Sequence, residues 1–129
     1  MAHYDLLVIG TGPAGQKAAV QAAKLGKTVG IIERKAVVGG VSTNTGTIPS
    51  KALREAVLYL SGFRQRNLYG AGYRLKETVT IEDLAIRANH IIKNEIEIVQ
   101  NQIARNRIDL IFGEASFVDP HPLLIQQAG

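Results

Sequence analysis

A chain of 129 residues with 46% hydrophobic side chains is long enough to build one core and bury roughly two-thirds of its unfolded surface. It has no cysteine, which removes disulfides, thiolate metal sites and thiol catalysis together. The net charge of +4 is spread along the chain, with only a loose group at Arg64, Arg66, Arg74 and Lys76; no nucleic-acid-binding motif accompanies it, so it reads as a solvated basic face.

No apolar run approaches the ~20 residues that cross a bilayer. The start, "MAHYDLLVIGTGPAG", has no positively charged leader. The expectation is a cytosolic protein with neither a membrane nor a nucleic-acid partner. Neither an internal repeat nor a low-complexity segment is visible.

Residues 4–10, "YDLLVIG", form an apolar run closed by glycine. That pattern suits a strand of a parallel sheet, buried on both faces. "TGPAGQKAAVQAAKLG" follows. Pro13 suits a first helical turn, Ala18, Ala22 and Leu25 share one helical face, and Gly26 is a natural stop. Residues 27–33, "KTVGIIE", read as a second strand ending in an acid, which completes a β-α-β unit.

Residues 34–47 read as a loop. "IPSKALREAVLYL" reads as a helix with Leu53, Ala56, Val57 and Leu60 on one face, and Tyr59 as core. Residues 61–79, with Gly62, Gly70 and Gly72 among basic residues, suggest a surface excursion. From Thr80 the pattern is strongly helical: Leu84, Ala88, Ile92, Ile96, Val99 and Ile103 recur at spacings of three and four. Thr80 and Asp83 resemble a capping box. "IDLIFG" reads as a third strand, and "EASFVDPHPLLIQQ" as two more that turn at Asp119-Pro120. The last strand would need a partner, so the sequence looks like the front of something longer. His3, His90 and His121 show no metal-ligand spacing and read as structural or surface residues.

Gly10-Thr11-Gly12-Pro13-Ala14-Gly15 matches G-x-G-x-x-G. The motif stands in its full context: a strand before it, a helix opening on it, a second strand after it and Glu33 at that strand's end. Gly10 permits the tight turn, Gly12 lets a pyrophosphate approach the backbone, and Gly15 lets helix and strand pack closely. The helix N-terminus, over Pro13 and Ala14, offers N–H groups and a partial positive charge. Glu33 can accept hydrogen bonds from ribose hydroxyls and would repel a 2′-phosphate. The unit leaves open whether FAD or NAD binds.

"GTGPAG", Glu33 and the segment "GGVSTNTGTIPSKAL" together resemble the front of the pyridine nucleotide–disulfide oxidoreductases. Within that family the likeness is greatest to the soluble pyridine nucleotide transhydrogenases. It runs through "FGEASFVDPH" to nearly the end of the chain. The family hallmark is G-G-x-C-x-x-x-x-C-x-P-S-K; here Ser42 and Thr47 stand at the two cysteine positions. Val41 replaces a common threonine, and Ser42 departs even from the transhydrogenase pattern.

The resemblance implies an α/β fold: an incomplete Rossmann-like βαβ FAD-binding domain, with a parallel sheet and a C-terminal antiparallel β-hairpin. Residues 1–129 would be its N-terminal segment, without the NAD(P)-binding and dimerisation domains. It implies FAD at this site, with Gly10, Gly12 and Gly15 at the pyrophosphate and Glu33 at the adenosine ribose. Gly39 and Gly40 would let the backbone pass close to the cofactor, and the backbone at Gly113 and Ala115 would flank the adenine. Thr47 would lie against the flavin ring, with Lys51 near its N5. Nicotinamide nucleotides would be the substrates of the full-length protein, and a homodimer would need the C-terminal domain. A hydroxyl forms no redox couple, so hydride transfer between pyridine nucleotides is the expected chemistry, and disulfide reduction through this loop is not. The competing reading is a non-catalytic module that holds a nucleotide or a partner.

Overall fold

The computed structural model describes residues 2–127. Strand β1 (Leu6–Ile9) runs parallel to β2 (Val29–Glu33), with Leu6 opposite Val29 and Ile9 opposite Ile32. On the other side of β2 lies β3 (Asp109–Phe112), also parallel, with Gly30 opposite Asp109 and Glu33 opposite Phe112. Strands β4 (Glu114–Phe117) and β5 (Leu123–Gln126) form a separate antiparallel hairpin, Phe117 facing Leu123. The expected α/β fold, a parallel sheet followed by a hairpin, is therefore present.

Every residue of β2 is buried, as its continuous apolar run demands. The same expectation fails for β1. It is an edge strand of the described sheet, only half-buried, and Ile9 is exposed.

Helix α1 (Pro13–Lys24) carries proline in its first turn, as read from the sequence. Its buried face is only partly the expected one. Ala19 and Val20 are buried and Ala22 is half-buried against the core, whereas Ala18 and Leu25 are exposed. The reason lies at Gly15. A side chain there would meet the Gly10 carbonyl oxygen at 2.1 Å and Val8 Cγ1 at 3.1 Å, so position 15 faces the sheet. Positions 19 and 23 follow it on that face at a spacing of four.

The core lies between this face, the sheet and the long helix α5 (Ile81–Arg105). It consists of Ala19, Val20, Val29, Ile31, Val38, Val99, Ile103 and Ile108. Helix α5 begins with a complete capping box. Thr80 Oγ1 accepts from the Asp83 N–H at 3.3 Å, and Asp83 Oδ2 accepts from the Thr80 N–H at 2.9 Å.

Residues 34–47 are not all loop. Gly40–Asn44 form a short helix α2, and α3 (Thr47–Leu60) begins three residues later. Glycine and hydroxyl residues disfavour helix intrinsically; tertiary contacts override that preference here. The Asn44 side-chain amide donates to the Val38 and Gly40 carbonyls at 3.0 and 2.9 Å. Helix α3 packs along α5 through buried Ala52 and Ala56. Leu53 and Leu60 are half-buried, while Val57 and Tyr59 are exposed, so Tyr59 is not core. The excursion at 61–79 contains one 3-10 turn (Phe63–Gln65) and helix α4 (Arg66–Tyr69). The basic group there is partly paired: Arg64 with Glu55 at 3.1 Å and Lys76 with Asp83 at 2.6 Å.

Candidate functional site

Three segments meet at the C-terminal ends of β1 and β2: the glycine loop, the acid at position 33, and the Gly39-Gly40 turn. Gly10 sits at φ +99°, and its N–H donates to the Ile32 carbonyl at 2.7 Å. That bond ties the loop to the neighbouring strand end. Around Gly10 and Gly12 the space is open: a Cβ at either would meet nothing within 4 Å. The N-terminus of α1, at Pro13 and Ala14, carries no side-chain cap. An uncapped first turn facing open space is where a helix offers its N–H groups and positive end to an anion.

Gly40 packs directly on this loop. A Cβ there would lie 2.9 Å from Gly12 Cα, and the residue holds φ +65°. Gly40 thus serves a close approach to the backbone of Gly12, whereas a Cβ at Gly39 would meet the Thr43 side chain at 2.7 Å.

Glu33 is buried and held by three hydrogen bonds from two residues. Its Oε2 accepts from the Thr11 N–H at 3.1 Å and from the Thr11 hydroxyl; its Oε1 accepts from the Lys35 N–H at 2.9 Å. Burial by itself would raise the carboxyl pKa. The Thr11 hydroxyl and the N–H groups of Lys35, Thr11 and Arg34 outweigh it and hold Glu33 below the ordinary carboxylate range.

A cavity of about 300 Å³ opens beside this carboxylate, lined by Ile9, Gly10, Glu33, Gly113, Glu114 and Ala115 among others. The Gly113 N–H donates to the Glu33 carbonyl at 2.9 Å, which holds the β3–β4 junction against the end of β2. The structure thus brings Gly10, Glu33, Gly113 and Ala115 around one space, next to Gly12, Gly15 and Gly40. A larger cavity, about 800 Å³, shares Arg34 and Gly113 with it and is walled by Lys35 and Phe112.

Thr47 and Lys51 lie elsewhere. Thr47 opens α3, is exposed, and accepts a hydrogen bond from Ser50 Oγ on its carbonyl at 3.0 Å. Lys51, one turn on and also exposed, lines a separate cavity of about 210 Å³ with Ile48, Glu55, Arg87 and Ile91. That cavity and the one beside Glu33 have no wall in common.

Sequence reasoning missed Thr11. It is fully buried, and besides its two bonds to Glu33 its hydroxyl accepts from the Gly39 N–H at 3.0 Å. Its carbonyl accepts from the Gln16 side chain at 2.7 Å. The only sign in the sequence was a hydroxyl between two motif glycines, a position the motif leaves unspecified.

Comparison with known proteins shows the family. The FAD dependent oxidoreductase family matches residues 5–117. A soluble pyridine nucleotide transhydrogenase of Mycobacterium bovis is 58% identical over 98% of the chain, which covers 27% of that relative. One from Colwellia psychrerythraea is 41% identical over 95% of the chain and 26% of the relative. The chain therefore spans about a quarter of the length of the relatives it matches. Among solved structures, a Cu(II) complex of the HOCl-induced flavoprotein disulfide reductase RclA from Escherichia coli superposes with a TM-score of 0.78 at 28% identity, over 98% of this chain and 25% of that one. With the family matched across most of its length, the chain belongs to the FAD-dependent oxidoreductases.

Proposed function

We propose that residues 1–129 form the FAD-binding N-terminal segment of a flavin-dependent oxidoreductase that moves hydride between pyridine nucleotides. The observation that carries this reading is the open, uncapped first turn of α1 beside a pinned, ionised carboxylate at the end of β2. The family match supports FAD as the occupant; the names of the relatives support pyridine nucleotides as substrates of the complete protein.

The residues present fit the group. Gly10, Gly12 and Gly15 shape a turn with room for a diphosphate, and the first N–H groups of α1, near Pro13 and Ala14, supply donors and a positive end worth about 0.3–1 kcal/mol per anion. Glu33 accepts from a ribose hydroxyl and disfavours a 2′-phosphate. Gly39 and Gly40 keep side chains away from the cofactor's path, and the backbone at Gly113 and Ala115 walls the adenine end. Bound FAD supplies the chemistry itself, accepting a hydride from one nicotinamide and returning it to another. Thr47 supports the flavin by packing or a hydrogen bond. Lys51 provides a positive charge toward the ring. In a protein of the relatives' length, the nicotinamide nucleotides and the dimer contacts would likewise use other residues. With Ser42 and Thr47 in place of thiols, this loop passes no electrons to a disulfide.

Purified protein, heat-denatured and its supernatant resolved by chromatography, should release FAD. Colourless protein, or release of FMN alone, would contradict the reading. The complete protein should transfer hydride from NADPH to thio-NAD⁺ and leave disulfide substrates unreduced.

A further inference from the structure

We propose that Thr11 is a positioning residue: its hydroxyl and N–H commit Glu33 Oε2 to the protein, so that Oε1 is the oxygen presented to the adenosine ribose. This rests on the reading of Glu33 as the ribose acceptor. A carboxylate has about four lone-pair sites. Both Thr11 donors converge on Oε2, whereas among the described residues the direct hydrogen bond to Oε1 comes from the Lys35 N–H, with the Arg34 N–H also drawn to the carboxylate. Oε1 therefore holds the remaining capacity for an incoming hydroxyl.

The Thr11 hydroxyl has a second duty. By accepting from the Gly39 N–H at 3.0 Å, it links the glycine loop, the end of β2 and the Gly39-Gly40 turn through one fully buried atom. A hydrophobic side chain of the same shape would strand the Gly39 N–H and free the carboxylate to rotate. The G-x-G motif specifies nothing at this position; in this chain it carries the orientation of the acid 22 residues away.

The test separates positioning from mere structure by changing the ligand. ADP and 2′,3′-dideoxy-ADP are titrated calorimetrically into the full chain and its Thr11→Val and Thr11→Ser variants. Wild type should prefer ADP. Thr11→Val should weaken ADP by about tenfold or more, the range of a charged hydrogen bond, and leave dideoxy-ADP within about threefold. Thr11→Ser should restore the preference. Should valine prevent folding, Thr11→Ala carries the same comparison, because it removes the hydroxyl without adding bulk. Equal losses for both ligands, or no loss for either, would overturn the proposal while leaving the proposed function standing. A wild type that binds neither ligand, or does not distinguish them, would overturn both.

Discussion

At the scale of single residues, two side chains and one missing side chain organise the site. Gly15 is required by contact: nothing larger fits 2.1 Å from the Gly10 carbonyl. Gly15→Ala must push α1 off the sheet, and it should cost about 1–3 kcal/mol by over-packing, read as a lowered urea midpoint. An unchanged midpoint would mean that helix and strand are not in contact there. Glu33 makes a different prediction. Its folded pKa lies below the unfolded value, so its contribution to stability is present above the ordinary carboxylate range and is lost as pH falls through the folded pKa. Urea midpoints measured from about pH 7 to about pH 3 should decline less steeply for Glu33→Gln than for wild type. Parallel curves would show that Glu33 is not held as described.

At the scale of elements, helix ends and helix contacts make the checkable claims. Asp83 is held at about 2 chiefly by the Lys76 ammonium and then by Thr80, so the capping box of α5 loosens only in strong acid. Thr80→Ala should cost about 1 kcal/mol of stability, measured by thermal or chemical unfolding; no change would mean that α5 does not begin there. The contact of α3 with α5 rests on small residues, with Ala52, Ala56 and Ala88 all buried. Ala56→Leu should cost about 1–3 kcal/mol, and a variant as stable as wild type would show that the helices have room to spare.

These elements also show what was legible in advance. The β-α-β unit, the capping box and the α5 stripe could be read because each is a local pattern with a local cause. The rotation of α1 could not: alanines surround the helix, and only the contact at Gly15 decides which of them face inward. Helix α2 was hidden because its five residues are poor helix formers, held by Asn44 and by the packing of Gly40 on Gly12. β1 read as buried on both faces because composition reports hydrophobicity and not whether a neighbouring strand is present.

At the scale of the molecule, the candidate site is assembled from the strand ends and not from one motif. The glycine loop leads into the uncapped first turn of α1, β2 supplies the acid, Gly40 closes on the loop, and the β3–β4 junction walls the far side. The glycine positions and Glu33 were readable because the motif states their chemistry. Thr11 was not, because its role exists only once residue 33 folds back onto it. Among the described residues no helix is long and apolar enough to cross a membrane. Thr47 and Lys51 belong to the helical layer of α3, so their roles depend on how far a bound flavin reaches from the strand ends.

The central claim is that this assembly grips the adenosine diphosphate half of FAD. Fluorescence titration of flavin-free protein with FAD, then with FMN, tests it most directly, alongside a Gly12→Val variant that fills the open space over the first turn. FAD should bind, FMN should fail to compete, and the Gly12→Val variant should lose FAD binding. Equal binding of FMN and FAD, or a Gly12→Val variant that binds FAD as wild type does, would contradict the account.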